Sequence, residues 1–283
     1  VVSEEDRQGD DSCCGGIGNW YRDVGIGDQS DKMDVVVLGR CVIRNHGSDF
    51  LAKLLHREQE MKYAEIGNYE SLYARYLDRP VSDLIDLAGD VKGKVVWDLC
   101  CGGGALSREC LSRGAAKVIA VDKCGDMTSQ LRKDADDTGC WDGRFRLEIA
   151  EVQNYVPISI APNPDFVFCR QAVNYWLDEG SATELARRVG KGCVFVFNTF
   201  NEAPPEKPLV KEYKHDGVNF VEVSWLEQPD TVHHVQVGEG MEPHVTRFRW
   251  IPPSKYIRIL GGFFAIQVVE RGRASLYRCE RKG

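Results

Sequence analysis

No run of about 18 apolar residues occurs in this chain, so no transmembrane helix is expected. No secretory leader is expected either: the chain opens at Val1 with acids at Glu4, Glu5 and Asp6, and without an initiator methionine it reads as processed or trimmed. Cysteine is plentiful at eleven, but the number is odd and no CxxC pair occurs, which argues against a disulfide framework. Reduced thiols in a cytoplasmic protein are expected, packing as small apolar side chains. The vicinal pairs Cys13-Cys14 and Cys100-Cys101 come without metal-ligand spacing, and no metal is expected. Long basic patches are also lacking. With a net charge of −7 and its densest basic segment, Arg271, Arg273, Arg278, Arg281 and Lys282, readable as a solvated hairpin, nucleic-acid binding is not expected.

At 283 residues and 43% apolar, the chain can bury a full core, and one domain with additions is expected. Its most informative stretch runs from Val95 to Gly104: an apolar strand reaches Asp98 and turns through Gly102-Gly103-Gly104 into a helix. A second strand, Val118 to Val121, then ends in Asp122. Glycines allow positive φ and close backbone approach to a ligand. An acid at the end of the next strand, about 20 residues on, accepts hydrogen bonds from ribose hydroxyls. One part of the ligand is therefore a nucleoside. Asp98 narrows the choice, because a carboxylate just before the loop repels a pyrophosphate but suits a ligand with a cationic amino group.

On these residues the chain resembles the class I S-adenosylmethionine-dependent methyltransferases, whose first motif reads acidic-x-Gly-x-Gly-x-Gly. Here Cys100 stands where the family has its first glycine. The resemblance continues through Arg144 to Val152, a third strand running into a loop, where Glu151 matches the residue that contacts the adenine amino group and Val152 offers backbone and an apolar wall. Pro164 to Tyr175 matches the fourth motif, whose strand end at Cys169 lies beside the transferable methyl. Gly192 to Asn198 is a fifth strand. The resemblance implies an α/β fold: a Rossmann-like seven-stranded sheet, N-terminal lid helices, and a small antiparallel β insertion before the last helix and hairpin. It implies S-adenosyl-L-methionine as cofactor, held by Asp98, Cys100, Gly102, Gly104, Asp122, Lys123, Glu151, Val152, Cys169 and Tyr69.

Residues 1–47 read as an extension, rich in Gly, Asp and Ser toward its start and partly disordered, in which 35–43 adds one strand. The methyltransferase domain is expected over 48–283. Helical periodicity runs from Ser48 to about Met61, from Tyr69 to Leu77, and from Pro80 through Leu87. Tyr69, Tyr73 and Tyr76 share a helical face near Tyr63; core packing explains such a cluster, and so does a lid in which Tyr69 and Tyr73 touch cofactor and acceptor.

Between the fifth strand and the last helix, Pro252 to Leu260, four short alternating segments occupy about 205–250: Val210 to Tyr213, Asn219 to Trp225, Thr231 to Val237 and His244 to Trp250. They suggest an antiparallel sheet over the strand ends, similar to that of sugar amine N-methyltransferases. A hairpin from Ala265 to Cys279, turning at Arg271-Gly272-Arg273, closes the chain. His233 and His234 point to opposite faces of their strand, so one is available as a base together with Tyr175. Tyr73, Arg170, Asn174, Tyr175 and Trp225 are the expected acceptor contacts. The expected activity is methyl transfer to a nitrogen or oxygen of a small molecule by a monomer or homodimer, nitrogen slightly ahead. The competing readings are a protein or RNA methyltransferase, a nicotinamide-dependent oxidoreductase, and a non-methylating relative that binds the same cofactor.

Overall fold

The computed structural model describes residues 36–38, 41–43, 81–125, 127–138, 143–158, 162–215, 217–238, 244–271 and 274–283. The helices expected over 48–61 and 69–77, with Tyr63, Tyr69, Tyr73 and Tyr76, lie outside the described residues. Where one strand was expected over 35–43 there are two, β1 (Val36–Leu38) and β2 (Cys41–Ile43), paired antiparallel with Val37 opposite Val42. The apolar run is broken by Gly39 and Arg40.

Then follow α1 (Val81–Ala88), β3 (Val95–Leu99), α2 (Ala105–Ser112), β4 (Lys117–Asp122), α3 (Ser129–Thr138), β5 (Phe145–Ile149), α4 (Val152–Ile158) and β6 (Phe166–Cys169). A 3-10 turn at Val173–Tyr175 leads into α5 (Glu179–Arg188) and β7 (Val194–Phe200). After β7 come β8 (Leu209–His215), β9 (Val218–Glu227), β10 (Thr231–Gly238) and β11 (His244–Arg249), then α6 (Pro253–Gly261) and the hairpin β12 (Phe264–Arg271) and β13 (Ala274–Arg281).

Seven strands form one sheet in the order β12-β13-β7-β6-β3-β4-β5, parallel from β7 to β5, with β13 antiparallel between β12 and β7. Helices cover both faces, and this is why β3, β4 and β6 read as nearly unbroken apolar runs. Alternation sends Val96, Val118, Phe166 and Phe168 to the side of α1 and α2, whose Leu84, Ile85 and Leu106 meet them. Trp97, Leu99, Ile119 and Val121 point the other way, toward Tyr155 of α4, Leu185 of α5 and Tyr256 of α6.

Two local features account for helix positions. At α5, Asp178 caps reciprocally: its carboxylate accepts the Ser181 N–H at 2.8 Å, and the Ser181 hydroxyl accepts the Asp178 N–H at 2.8 Å. The loop expected after β5 is instead α4, because Val152, Tyr155 and Val156 form a buried stripe at helical spacing. Tyr155 then meets Trp97 edge-on at 5.8 Å. Pro157, which speaks against a helix in sequence, falls in the last turn.

The other four strands make a separate antiparallel meander, β11-β10-β9-β8, where the β insertion was expected. It meets the turn after β6 through Phe248 of β11, whose ring lies 6.3 Å from that of Tyr175 at 64°, and through Arg249, whose Nη2 donates to the Leu177 carbonyl at 3.2 Å. The parallel strands' C-terminal ends form a crest, and the meander is a roof beside it. Among the described residues no helix is long and apolar enough to cross a membrane.

Candidate active site

The crest is organised by backbone. After Leu99 the chain turns at Cys100, whose φ is +58°, and at Gly102 and Gly104, with φ of +52° and +80°. Gly104 precedes the first turn of α2, and a Cβ there would lie 2.4 Å from the side chain of Leu131, which is itself fully buried and has no room to yield. Asp122, at the end of β4, clamps this loop: one carboxylate oxygen accepts the Gly102 N–H at 2.8 Å and the other accepts the Cys124 N–H at 2.9 Å. Each oxygen keeps a second lone pair for a ligand's hydroxyl donors.

Asp98 behaves differently from the expectation of direct contact with a cationic amino group. It is 1% exposed, on the α2 side of β3, and accepts a hydrogen bond of 2.6 Å from the Ser107 hydroxyl. Burial pushes its pKa up to about 6, opposed by the Ser107 bond and by the charge of Arg170. Its charge therefore acts from beneath the loop. Arg170, expected to grip the acceptor, lies within the field of this buried acid.

Sulfur and strained backbone line the neighbouring strand end. Cys100 lies against Cys169 of β6, and that thiol contact, followed by burial, holds the Cys100 thiol well above its usual range. Trp176 Nε1 donates to the Cys169 sulfur at 3.3 Å. Burial first, then the charges of Asp98 and Asp122, raise the Cys101 thiol likewise. Neutral thiols of this kind are poor nucleophiles. Gln171, two residues past Cys169, also has a positive φ, +56°, and its N–H donates to Oδ1 of buried Asn198 on β7 at 3.0 Å. Two left-handed residues other than glycine thus follow adjacent strands β3 and β6, and such conformations persist where their surroundings impose them. Sequence reasoning passed over Ser107, Gln171 and Asn198; the signal available was a polar residue closing the apolar run Val194 to Phe197.

Toward the roof, Asn174 is half-buried in the 3-10 turn and Tyr175 is exposed at its end. Desolvation by the surrounding protein, followed by the influence of Cys100, pushes the Tyr175 phenol up to about 12. Beyond β5, Glu151 is exposed just before α4 and holds Asn154 Nδ2 at 3.2 Å, while Val152 is buried. Lys123 is exposed beside Asp122. Tyr69 and Tyr73 lie outside the described residues.

Strand register settles the two histidines. Pairings His234↔Ser224, His234↔Thr246 and Val232↔Phe248 put His234 on the same face as Phe248, the face that meets Tyr175. His233 pairs with Trp225 on the opposite face, where the two rings stack at 4.7 Å and His233 Nε2 lies 2.5 Å from Glu227. The expected acceptor contact Trp225 and the expected base His233 therefore face away from Tyr175.

The crest suits the cofactor expected from the sequence. Asp122 keeps lone pairs beside the loop, Gly102 and Gly104 bring backbone to its surface, and Cys100 and Cys169 place sulfur at the adjoining strand ends. Among the described residues no group of three or more His, Cys, Asp or Glu side chains is placed to hold a metal ion.

A family profile described as "Conserved hypothetical protein 95" matches residues 83–169. An uncharacterized protein of Haemophilus influenzae is 36% identical over 88 residues, 28% of this chain and 35% of that relative, so the chain spans about a third of its length. A ubiquinone biosynthesis O-methyltransferase of Klebsiella pneumoniae is 25% identical over 223 residues, 67% of this chain and 88% of the relative. Among solved structures, an S-adenosylmethionine-dependent methyltransferase from Clostridium acetobutylicum superposes with a TM-score of 0.58 at 17% identity, covering 83% of this chain and 99% of its own. An amino pentose methyltransferase from Micromonospora echinaspora with bound cofactor gives 0.55 at 15% identity, covering 78% and 94%. In its strand order and fold the chain is similar to solved S-adenosylmethionine-dependent methyltransferases.

Proposed function

We propose that the protein transfers a methyl group from S-adenosylmethionine to a nitrogen or oxygen of a small molecule held between crest and roof. The observation that carries this reading is Asp122, clamped to the Gly102 and Cys124 amides beside the glycine loop with lone pairs to spare. When bound, the cofactor supplies an electrophilic methyl on a sulfonium. The chain's own residues bind, align and exclude water, which is most of what an in-line displacement requires. Asp122 takes the ribose hydroxyls, with Lys123 beside it; Glu151 and Val152 border the adenine; Asp98 biases the field beneath the methionine end. Tyr175 donates a hydrogen bond that orients the acceptor, with Asn174 and Arg170 near it.

Nitrogen stays slightly ahead of oxygen, because an amine releases its proton to solvent whereas a hydroxyl gains from a base. That base is His234, on the roof face bearing Phe248. For a hydroxyl acceptor, His234→Ala should lower kcat by about a hundredfold, and His233→Ala should leave kcat within about threefold. Equal losses in the two variants count against this assignment. The acidic balance favours a small acceptor over nucleic acid. Unpaired cysteines at 100, 101, 110, 124, 169, 193 and 279 suit a reducing cytoplasm, and the working unit is read as a monomer or homodimer.

Thermal unfolding with S-adenosylmethionine, S-adenosylhomocysteine and NADH, each in excess, tests the reading. At about 100 times Kd a ligand adds roughly 2.7 kcal/mol, raising Tm by about 5–10 °C for a chain of this size. The first two should shift the midpoint and NADH should not. A shift with NADH alone overturns the methyltransferase reading in favour of an oxidoreductase.

A further inference from the structure

The roof's inner face carries, between apolar Phe220 and Val232, a strip of polar side chains where packing alone calls for apolar ones. On the face that bears Phe248, Glu222 is 3% exposed, Ser224 8%, Gln236 2% and Thr246 9%. Register makes them one strip, Gln236 beside Glu222 on the neighbouring strand, with Ser224 and Thr246 flanking His234. Burying polar groups costs free energy unless each finds a partner. Part of the strip is satisfied internally: Glu222 has Lys211 Nζ at 3.5 Å and His234 Nδ1 at 3.9 Å, and Gln236 Nε2 donates to the Tyr213 hydroxyl. The Gln236 carbonyl oxygen, however, is buried with no hydrogen-bond partner among the described residues. Turning the carboxamide over would only transfer the deficit to its NH2, so one end of this side chain awaits a partner in either orientation.

Resting on the reading of the protein as a small-molecule methyltransferase, we propose that this strip, through Gln236, selects the acceptor, and that it selects a hydrophilic compound rich in hydroxyl or amino donors over an apolar aromatic one. A donor on the ligand satisfies the Gln236 oxygen, and Glu222 adds a carboxylate acceptor that favours amino or hydroxyl groups. An apolar ring laid on the same strip strips its polar groups of water and returns no hydrogen bond, and sites built to hydrogen-bond discriminate strongly against ligands that cannot.

The test uses the full chain, S-adenosylmethionine labelled in its methyl group, and a protein-free small-molecule cell extract, with products separated by reversed-phase chromatography at neutral pH. Label in the hydrophilic flow-through beyond that of an enzyme-free control, which carries the unreacted cofactor, is expected. Gln236→Met, nearly isosteric, and Thr246→Val, which keeps shape and strand preference, should each reduce it by about tenfold while the cofactor's thermal shift stays unchanged. Two variants on different strands guard against a folding failure in one. Label confined to the retained apolar fraction, or hydrophilic label equal in wild type and both variants, overturns the proposal and leaves methyl transfer standing. No label in either fraction, while the cofactor still raises Tm, overturns methyl transfer to small molecules and this proposal with it.

Discussion

The crest and the roof are built by opposite means. At the crest the groups that shape the surface are mainly backbone, set by positive φ at Cys100, Gly102 and Gly104 and fixed by one carboxylate spanning two loops. At the roof they are side chains, placed by strand alternation and pairing. A backbone site tolerates almost no change at the positions that shape it, yet asks little of most residues around it. A side-chain site keeps its scaffold through many substitutions and changes what it recognises with each. The first arrangement suits a cofactor that stays the same, and the second an acceptor that varies between relatives.

Gly104→Ala is the harshest test of this contrast. It puts a Cβ into a left-handed residue and drives it against fully buried Leu131. The left-handed penalty and the overpacking together should cost about 2–4 kcal/mol, read as a lower urea midpoint, with cofactor affinity falling alongside. A neutral outcome means that the crest is far more plastic than its backbone construction implies. Asp122→Ala comes next. It removes a charge-assisted acceptor and leaves the Gly102 N–H unpaired, so cofactor binding measured by calorimetry should weaken by about 1.5–3 kcal/mol. Unchanged affinity means that the ribose binds elsewhere.

How much of this was legible in sequence follows the same division. The parallel strands along the chain, the glycine loop, the acid after β4 and the four roof strands were all readable, since each rests on a local pattern: an apolar run, a turn residue, an alternation. The parity of His233 and His234 was readable too, because alternation is local. Which face is inward was not, because that is decided by tertiary contacts at the end of β11, Phe248 against Tyr175 and Arg249 to the Leu177 carbonyl. Asp98 was read as a ligand contact because its position in the motif is visible, whereas the Ser107 hydroxyl that covers it lies on the following helix. Gln236 gave no signal at all, since a glutamine in a strand looks solvent-facing until its neighbours are known.

A smaller effect, of opposite sign, comes from Asp98. Its folded pKa, about 6, lies above the ordinary 3.8, so the folded state favours the neutral acid. Ionised Asp98 therefore costs stability at pH 7, and the cost is relieved as pH falls from about 6 toward 4. Asp98→Asn removes the charge and can still accept the Ser107 bond. The variant should be more stable than wild type by about 2 kcal/mol at pH 7, converging with it near pH 4. Urea melts at the two pH values check this. A variant less stable at pH 7 means that Asp98 is ionised and well compensated where it stands.

Cys100→Gly carries the smallest expected change in stability and sharpens the comparison most. Glycine relieves a left-handed conformation that costs an L-residue about 1–2 kcal/mol, but it gives back about 0.5–1 kcal/mol in unfolded-chain entropy and loses the packing against Cys169. The net shift in the urea midpoint should stay within about 1 kcal/mol. Cofactor affinity is the more informative readout. If the crest recognises its ligand by backbone, the variant binds S-adenosylmethionine within about threefold of wild type, a difference of less than 1 kcal/mol. A tenfold loss means that the Cys100 thiol is itself a contact, and that this crest has taken on some of the side-chain recognition otherwise confined to the roof.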